Sequence, residues 1–253
     1  MKKIFIYSIA TITFFAGVKA NLSAQEQGKI TYETIVQYDF ESVSDSPRWT
    51  NYIADLPKSG VSIQSLNFDE ASALFSEEVN HNESAGPNLN RAMGALNANK
   101  GPQVESLEIF YDFDKNKKIE QVEFMTRLFI IESELESVAW KITGKQKKVM
   151  DYVCMGAELQ EGEDTITAWF SSEIPISAGP GKYRGLPGVI LGIEKNDVVV
   201  SLATSIDFEN SDKSAIKKPK EGKKVSQKEF DIIVAEKLEE FKKSGKATTD
   251  KRG

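Results

Sequence analysis

Four segments of this chain alternate apolar and polar residues, and that alternation is the strongest constraint on its fold. The first segment, residues 30 to 40, places polar side chains between the apolar ones at Ile30, Tyr32, Val36, Tyr38 and Phe40. Segments 107–113, 166–170 and 198–206 repeat the two-residue period. Because successive side chains of a strand point to opposite faces, the period predicts strands with one buried and one wet face. Such strands are typical of antiparallel sheets.

A nearly unbroken apolar run from Val189 to Ile193 departs from this period and predicts a strand buried on both faces. The stretch that includes it, AGPGKYRGLPGVILGIE (178–194), holds five of the 17 glycines and two of the eight prolines. A phosphate-binding loop would need serine or threonine after Lys182, where Tyr183 stands, and a helix after the loop. Strand follows instead, so the stretch is not predicted to bind phosphate.

The glycines and prolines of this stretch predict two tight turns, Gly179-Pro180-Gly181 and Leu186-Pro187-Gly188. Proline presets one turn position and glycine permits a positive φ at its neighbour. Glycine also allows a close approach of backbone to backbone or to a ligand. We therefore interpret the role of the stretch as conformational: its turns direct the backbone into the buried strand.

Two helices are predicted outside these strands. The first has Ser46 as its N-cap and Pro47 in its first turn, and it ends before Pro57. The second begins at the capping box formed by Ser226 and Glu229 and runs to Gly245. We expect its apolar face to dock on the sheet rather than on a partner helix or a membrane. That face consists of Phe230, Ile233, Val234, Leu238 and Phe241.

Residues 1–24 have the pattern of a secretory signal peptide. Lys2 and Lys3 precede an uncharged apolar stretch that is short for a membrane span, and Ala20 and Ala24 are both possible cleavage positions. With no cysteine near them, lipid attachment is not expected, and no transmembrane span is expected after cleavage. Residues 25–245 are predicted to form a single domain. Within it 80–104 is a surface loop, the lysine-rich run 217–224 is a solvated loop, and 246–253 is a flexible tail.

Charge and cysteine content exclude several classes of protein. Without residues 1–24 the chain has 29 basic against 38 acidic residues, a formal net charge of −9. Such an acidic protein is not expected to have the positively charged surface that binds nucleic acids or anionic lipids. Cys154 is the only cysteine, so no internal disulfide can form.

Candidate catalytic and metal-binding residues are few. Residues 112–123 resemble a calcium loop, but Lys117 stands where the loop needs glycine, so a hairpin with its tip at 114–118 is predicted. His81, the only histidine, lies in the polar loop. Cys154 is flanked by apolar residues and is expected to be a buried thiol. No catalytic residue, metal site or cofactor is predicted.

Segments 140–159, 167–194 and 218–230 resemble, in order, the signature of the GLPGLI family of exported Bacteroidota proteins. Asp151, Gly156 and Val189 depart from its usual glycine, lysine and leucine. The matching positions are Trp140, Tyr152, Cys154, Ala157, Ala168, Trp169, Ile174, Pro175, Gly179, Pro180 and Gly185, Leu186, Pro187, Gly188 to Leu191.

The resemblance implies an α+β fold of mostly antiparallel sheet, curved or an open half-barrel similar to lipoprotein carriers, with one or two packed helices. It also implies a location in the periplasm or cell envelope. Two functions stay open. The first, which we favour, is a non-enzymatic binding or accessory protein, for an outer-membrane transporter or for an apolar or small-molecule ligand. Its candidate contact residues are Trp140, Trp169, Tyr183 and Arg184. The second is an envelope hydrolase that uses carboxylates or Cys154.

Overall fold

The described part of the chain contains twelve strands, one long helix and a short 3-10 helix, Lys213–Ala215. The structure, a computed structural model, describes residues 27–38, 40, 53–80, 89, 91, 92, 94, 102–196, 198–209 and 213–249. The strands are β1 (Gln27–Gln37), β2 (Ser59–Asp69), β3 (Ser72–Asn80), β4 (Val104–Asp112), β5 (Lys117–Phe124), β6 (Arg127–Glu134), β7 (Lys141–Val149), β8 (Tyr152–Glu161), β9 (Asp164–Ser171), β10 (Val189–Lys195), β11 (Val198–Asp207) and β12 (Lys223–Ser226). The helix α1 spans Gln227–Thr249.

All twelve strands belong to one open sheet, in the order β12-β6-β5-β4-β3-β2-β1-β11-β10-β9-β8-β7. Every pairing is antiparallel except that of β12 with β6. Strand β1 pairs with β11, so the middle of the sheet joins segments that are far apart in the chain. The predicted fold class is confirmed: mostly antiparallel sheet, open rather than closed, with a packed helix.

The alternation places one face of β1 and β4 in the main core, as predicted. Ile30 and Tyr32 from β1 and Ile109 and Tyr111 from β4 share one cluster of buried side chains, in which Tyr32 and Tyr111 are 0% exposed. The predicted burial of Val189 to Ile193 on both faces is also confirmed, because all five residues are buried.

Three of the predicted strands depart from simple alternation. In β4 the four residues Ile109 to Asp112 are all buried, so both faces are covered there. In β9 both faces are buried, with Phe170 in one core cluster and Trp169 in the other. In β11 the predicted apolar face begins at Val198, which is 51% exposed, while Ser201 and Ala203 are buried. The register of β11 shifts against both neighbouring strands, and each shift turns the following side chains to the other face.

The helix α1 begins at the predicted capping box. Glu229 accepts hydrogen bonds from the Ser226 backbone N–H and hydroxyl, both at 2.8 Å, and its own N–H donates to the Ser226 hydroxyl at 3.2 Å. Phe230 is buried against β5 and β6 with Ile233 and Val234 beside it, so the first turns of the helix dock on the sheet as expected, whereas Phe241 of the predicted face is 38% exposed. The helix continues to Thr249, four residues past Gly245.

The hairpin predicted around 114–118 joins β4 to β5, with Asp112 opposite Lys117. Asp112 pairs with the ammonium groups of Lys115 at 3.1 Å and Lys218 at 3.0 Å. These cations lower the pKa of Asp112, with the Lys218 hydrogen bond as the largest cause. A carboxylate neutralised by two ammonium groups is a poor ligand for calcium.

Several predictions lie outside the described residues. They are the signal peptide at 1–24, the start of the first helix at Ser46 and Pro47, His81 with most of the 80–104 loop, and the end of the tail after residue 249. In the described ranges, no helix is long and apolar enough to cross a membrane.

Candidate functional site

The connection between β9 and β10, residues 172–188, folds back along β10 and covers the main core. We call this connection the plug segment. The Val189 N–H donates to the Ile174 carbonyl at 3.0 Å, and the Ile190 N–H donates to the Ala178 carbonyl at 2.9 Å. Ile174 and Ala178 are 0% exposed. The plug segment is therefore part of the folded core and not a loose loop.

Two buried tyrosines from distant strands bind the plug segment and the strand that follows it, β10. The Tyr32 hydroxyl donates to the Ile190 carbonyl at 2.8 Å, and the Tyr111 hydroxyl donates to the Gly181 carbonyl at 3.1 Å. Burial raises the pKa of both phenols, so each stays a hydrogen-bond donor. The conformational role predicted for the stretch has its physical basis in these contacts.

Glycine is required at two places in the plug segment because an added Cβ would clash with neighbouring atoms. A Cβ on Gly179 would lie 2.5 Å from Ile190 Cβ. A Cβ on Gly188 would lie 2.2 Å from the carbonyl oxygen of Ser171, and Gly188 has a φ of 144°. Gly181, with a φ of 60°, closes the first predicted turn. Both turns form where the sequence predicts them.

Three of the four predicted contact residues come together: Tyr183 and Arg184 of the plug segment contact Trp140, which precedes β7. The Trp140 indole N–H donates to the Arg184 carbonyl at 2.8 Å, and the Trp140 and Tyr183 rings lie 6.2 Å apart. The Arg184 guanidinium in turn donates to the Glu136 carbonyl. All three side chains are half-buried. Burial raises the pKa of Tyr183 to about 12, so its phenol is neutral at physiological pH.

A cleft of about 500 Å³ opens next to Arg184; we call it the Arg184 cleft. Its wall combines the plug segment with the connection from β6 to β7 and the first residue of α1. Charged groups of both signs line it: Lys118, Lys182 and Arg184 against Glu134 and Glu136. The volume is in the range of small-molecule sites in proteins.

Lys182 is positioned at this cleft by two contacts. Its ammonium pairs with Glu161 at 2.9 Å and lies 5.5 Å from the centroid of the Tyr183 ring. Two cationic residues of the cleft, Lys182 and Arg184, are thus the chain neighbours of Tyr183. The order Lys182-Tyr183-Arg184 in the sequence does not indicate that Lys118, Glu134 and Glu136 lie opposite. These residues come from β5, the end of β6 and the connection from β6 to β7.

Trp169, the fourth candidate, lies elsewhere. It is 8% exposed in the main core, with the Lys147 ammonium 5.3 Å from its ring centroid. Its indole N–H has no hydrogen-bond acceptor in the part of the chain that the structure describes. Because the ring is buried, Trp169 contributes to packing, and the structure does not bring it to the Arg184 cleft.

Cys154 is a buried core residue, as expected from its apolar neighbours. It is 0% exposed, and its Sγ lies 3.9 Å from the Tyr152 carbonyl. Burial is the main cause that raises the pKa of this thiol to about 11. Since the thiolate is the reactive form, the site does not activate Cys154 as a nucleophile.

We expect native Cys154 to resist the thiol reagent DTNB at pH 8. With a pKa near 11, roughly one thiol in a thousand is ionised at that pH, and that fraction is shielded from solvent. Release of thionitrobenzoate should become stoichiometric only after addition of denaturant. Cys154→Ser gives the background signal. Rapid stoichiometric labelling of the native protein would contradict the burial of this residue.

One carboxylate pair was not visible in the sequence. Glu105 and Glu123 lie opposite each other on β4 and β5, and the pKa of Glu105 is raised, first by burial and then by the charges of Glu123 and Glu77. Register between strands brings these acids together, and spacing along the chain does not reveal it. Neither Glu105 nor Glu123 lines the Arg184 cleft.

Comparison with known proteins connects the plug segment to a family. Residues 158–192 match the Porph_ging family, described as a protein of unknown function. The matched residues run from β8 through the plug segment to β10, which is the region that covers the core. No curated protein matches the chain.

Two crystal structures of PNGF-II have a similar fold. Their TM-scores are 0.52 and 0.50, at 15% and 16% sequence identity. The similarity covers 82% and 81% of this chain but 33% and 32% of the PNGF-II chains, so this chain spans about a third of the solved chains it matches. At these identities the likeness concerns the fold.

Proposed function

We propose that this protein is an exported, non-enzymatic binding or accessory protein of the cell envelope and a member of the GLPGLI family. The Porph_ging match to residues 158–192 supports the assignment, since it includes the Gly/Pro-rich stretch that carries the GLPGLI resemblance. The signal-peptide pattern of residues 1–24 supports export to the periplasm.

The fixed position of Arg184 is the observation that carries the binding role. Its guanidinium donates to the Glu136 carbonyl while its own carbonyl accepts the Trp140 indole N–H, so both ends of the residue are held. Arginine has five N–H donors, and one carbonyl bond leaves the others available to a ligand. A side chain already held in place loses little conformational entropy when it binds.

The Arg184 cleft is suited to a polar partner with acidic and basic groups. Lys182 and Arg184 can bind carboxylate or phosphate oxygens, and Glu134 can accept from an amine or a backbone N–H. An exposed loop of an outer-membrane transport protein has this mixture of groups, and so has a zwitterionic small molecule.

Capture from outer-membrane extracts tests this proposal. The exported form of the protein is immobilised, and retained proteins and small molecules are identified by mass spectrometry. We expect Arg184→Ala to reduce capture of the specific partner roughly tenfold, the loss typical of an interface arginine. Lys148→Ala, an exposed cation at the β7–β8 turn, is the matched control and should capture as the wild type does.

Thermal melts of both variants establish that they are folded. Equal capture by folded Arg184→Ala and the wild type would place the binding surface away from the Arg184 cleft. Retention of nothing beyond the blank resin by the wild type would refute the binding role.

A further inference from the structure

The lysine-rich run before α1 is fixed on the sheet, contrary to the solvated loop that its sequence predicts. Pro219 is buried, and the Gln121 side-chain amide donates to the Glu221 carbonyl at 2.7 Å. Lys218 pairs with Asp112 at 3.0 Å and lies 5.2 Å from the centroid of the Phe110 ring. These contacts hold residues 217–222 across the strands β4 and β5.

A cleft of about 590 Å³ lies between this run, the β4–β5 hairpin and the start of α1; we call it the lysine cleft. Its apolar part is formed by Ile119 of β5, Ile130 of β6 and Val225 of β12. Because Lys118 lines the Arg184 cleft and its neighbours Lys117 and Ile119 line this one, the two clefts lie on opposite faces of β5. The lysine cleft is therefore a separate site.

Five ammonium groups surround the apolar part of the lysine cleft, those of Lys115, Lys117, Lys218, Lys220 and Lys224. Three of them have carboxylate partners: Lys115 and Lys218 pair with Asp112, and Lys117 pairs with Glu132. Lys220 and Lys224 have no ion pair within the described ranges. In a protein of formal net charge −6, this is a local excess of positive charge.

The acids in the lysine cleft do not neutralise this excess. Glu132 is engaged by Lys117, whose hydrogen bond is the largest cause of its lowered pKa. Glu229 caps α1 through its hydrogen bonds to Ser226, which also lower its pKa. Lys220 and Lys224 are thus the two lysines of the cleft that form no ion pair among the described residues, although the charge of Lys224 also contributes to the lowered pKa of Glu132.

We propose that the lysine cleft binds an anionic amphiphile, a phosphate head group attached to an apolar chain. Lys220 and Lys224 would bind the head group through charge-assisted hydrogen bonds. Ile119 and Val225, both half-buried, would cover the first part of the chain beside the buried Ile130, removing apolar surface from water. The volume of about 590 Å³ accommodates a molecule of that size.

Binding of n-decyl phosphate below its micellar concentration, followed by isothermal titration calorimetry, tests this site. The double variant Lys220→Glu/Lys224→Glu should bind at least about tenfold more weakly than the wild type. The matched control is Lys141→Glu/Lys148→Glu, which makes the same charge change on β7, at the opposite edge of the sheet. Its affinity should stay within about twofold of the wild type.

Two further probes separate the contributions of head group and chain. Inorganic phosphate lacks the chain and n-decyl maltoside lacks the charge, and we expect both to bind more weakly than n-decyl phosphate. Inorganic phosphate binding as tightly would mean that the cleft takes a free anion, and equal binding of the maltoside would mean that charge has no role. Either result overturns the proposal, as does an equal loss in both double variants.

The two proposed sites can be distinguished by their variants. Arg184→Ala should leave the affinity for n-decyl phosphate unchanged, because Arg184 lines the other cleft. If the glutamate variant fails a thermal-melt check for folding, Lys220→Gln/Lys224→Gln removes the same positive charges without adding negative ones. Unchanged binding by the folded glutamine variant also overturns the proposal.

Discussion

Gly188→Ala is expected to cost more than about 4 kcal/mol of unfolding free energy, a loss few single substitutions reach. The new Cβ would lie 2.2 Å from the Ser171 carbonyl oxygen and 2.6 Å from its carbon. Both are backbone atoms at the end of β9, so no side-chain rotation relieves the clash. The φ of 144° adds strain, since residues with a Cβ rarely adopt it.

The backbone on either side of Gly188 cannot shift without breaking hydrogen bonds. The Gly188 N–H donates to the Leu186 carbonyl at 2.8 Å, and the next N–H, that of Val189, donates to the Ile174 carbonyl. Movement away from Ser171 would therefore detach the plug segment from β10. Loss of that segment would expose Ile174 and Ala178, both 0% exposed in the native fold.

Urea unfolding of Gly188→Ala and Gly162→Ala measures this effect. Gly162 is the matched control, because its φ of 62° is also positive but no atom lies within 4 Å of an added Cβ. The control should lose about 1–2 kcal/mol, the cost of a left-handed conformation for an L-residue. If the two variants have equal stability, close packing at Gly188 is not a determinant of the fold.

Local chemistry determines the turns and those strands that the sequence predicted, which are β1, β4, β9, β10 and β11, whereas β2, β3, β6, β7, β8 and β12 were not predicted. Alternation located the buried faces of β1 and β4, and an unbroken apolar run identified β10 as buried on both faces. Gly-Pro-Gly predicted the turn that Gly181 closes with a φ of 60°. In each case the signal lies in neighbouring residues.

Contacts between distant residues could not be predicted in this way. The hydrogen bond from Tyr111 to the Gly181 carbonyl joins residues 70 apart, and that from Tyr32 to the Ile190 carbonyl joins residues 158 apart. A side-chain period specifies which face is buried but not which strands are neighbours. The pairing of β1 with β11, which brings Tyr32 within hydrogen-bond distance of β10, is of this kind.

The lysine-rich run shows a second limit of sequence reasoning. A charged run favours a solvated loop, yet Lys218 has an aromatic ring beneath it and a carboxylate partner, Asp112, 106 residues away. Lysine can keep its charge in a polar environment while its aliphatic stem covers apolar surface. Both candidate clefts depend on such long-range placement, which explains why the sequence identified Arg184 but not the residues around it.

Phe230→Ala is expected to lower the unfolding free energy by about 3–5 kcal/mol, as for other buried phenylalanines. Phe230 is 4% exposed, and its ring meets those of Phe124 at 6.2 Å and Phe129 at 5.2 Å, both edge to face. These contacts join α1 to β5 and β6. Because helix stability in proteins comes mainly from packing, loss of the ring should also loosen the first turns of α1.

Ile232→Ala is the matched control for this prediction, since Ile232 lies on the same helix two residues later and is 49% exposed. Its stability should stay within about 0.5 kcal/mol of the wild type. Urea unfolding gives the free energies, and limited proteolysis within residues 227–249 reports on the helix itself. Cleavage there should be faster in Phe230→Ala than in Ile232→Ala. Equal stability and equal cleavage in the two variants would mean that α1 is held to the sheet by something other than the contacts of Phe230 with Phe124 and Phe129.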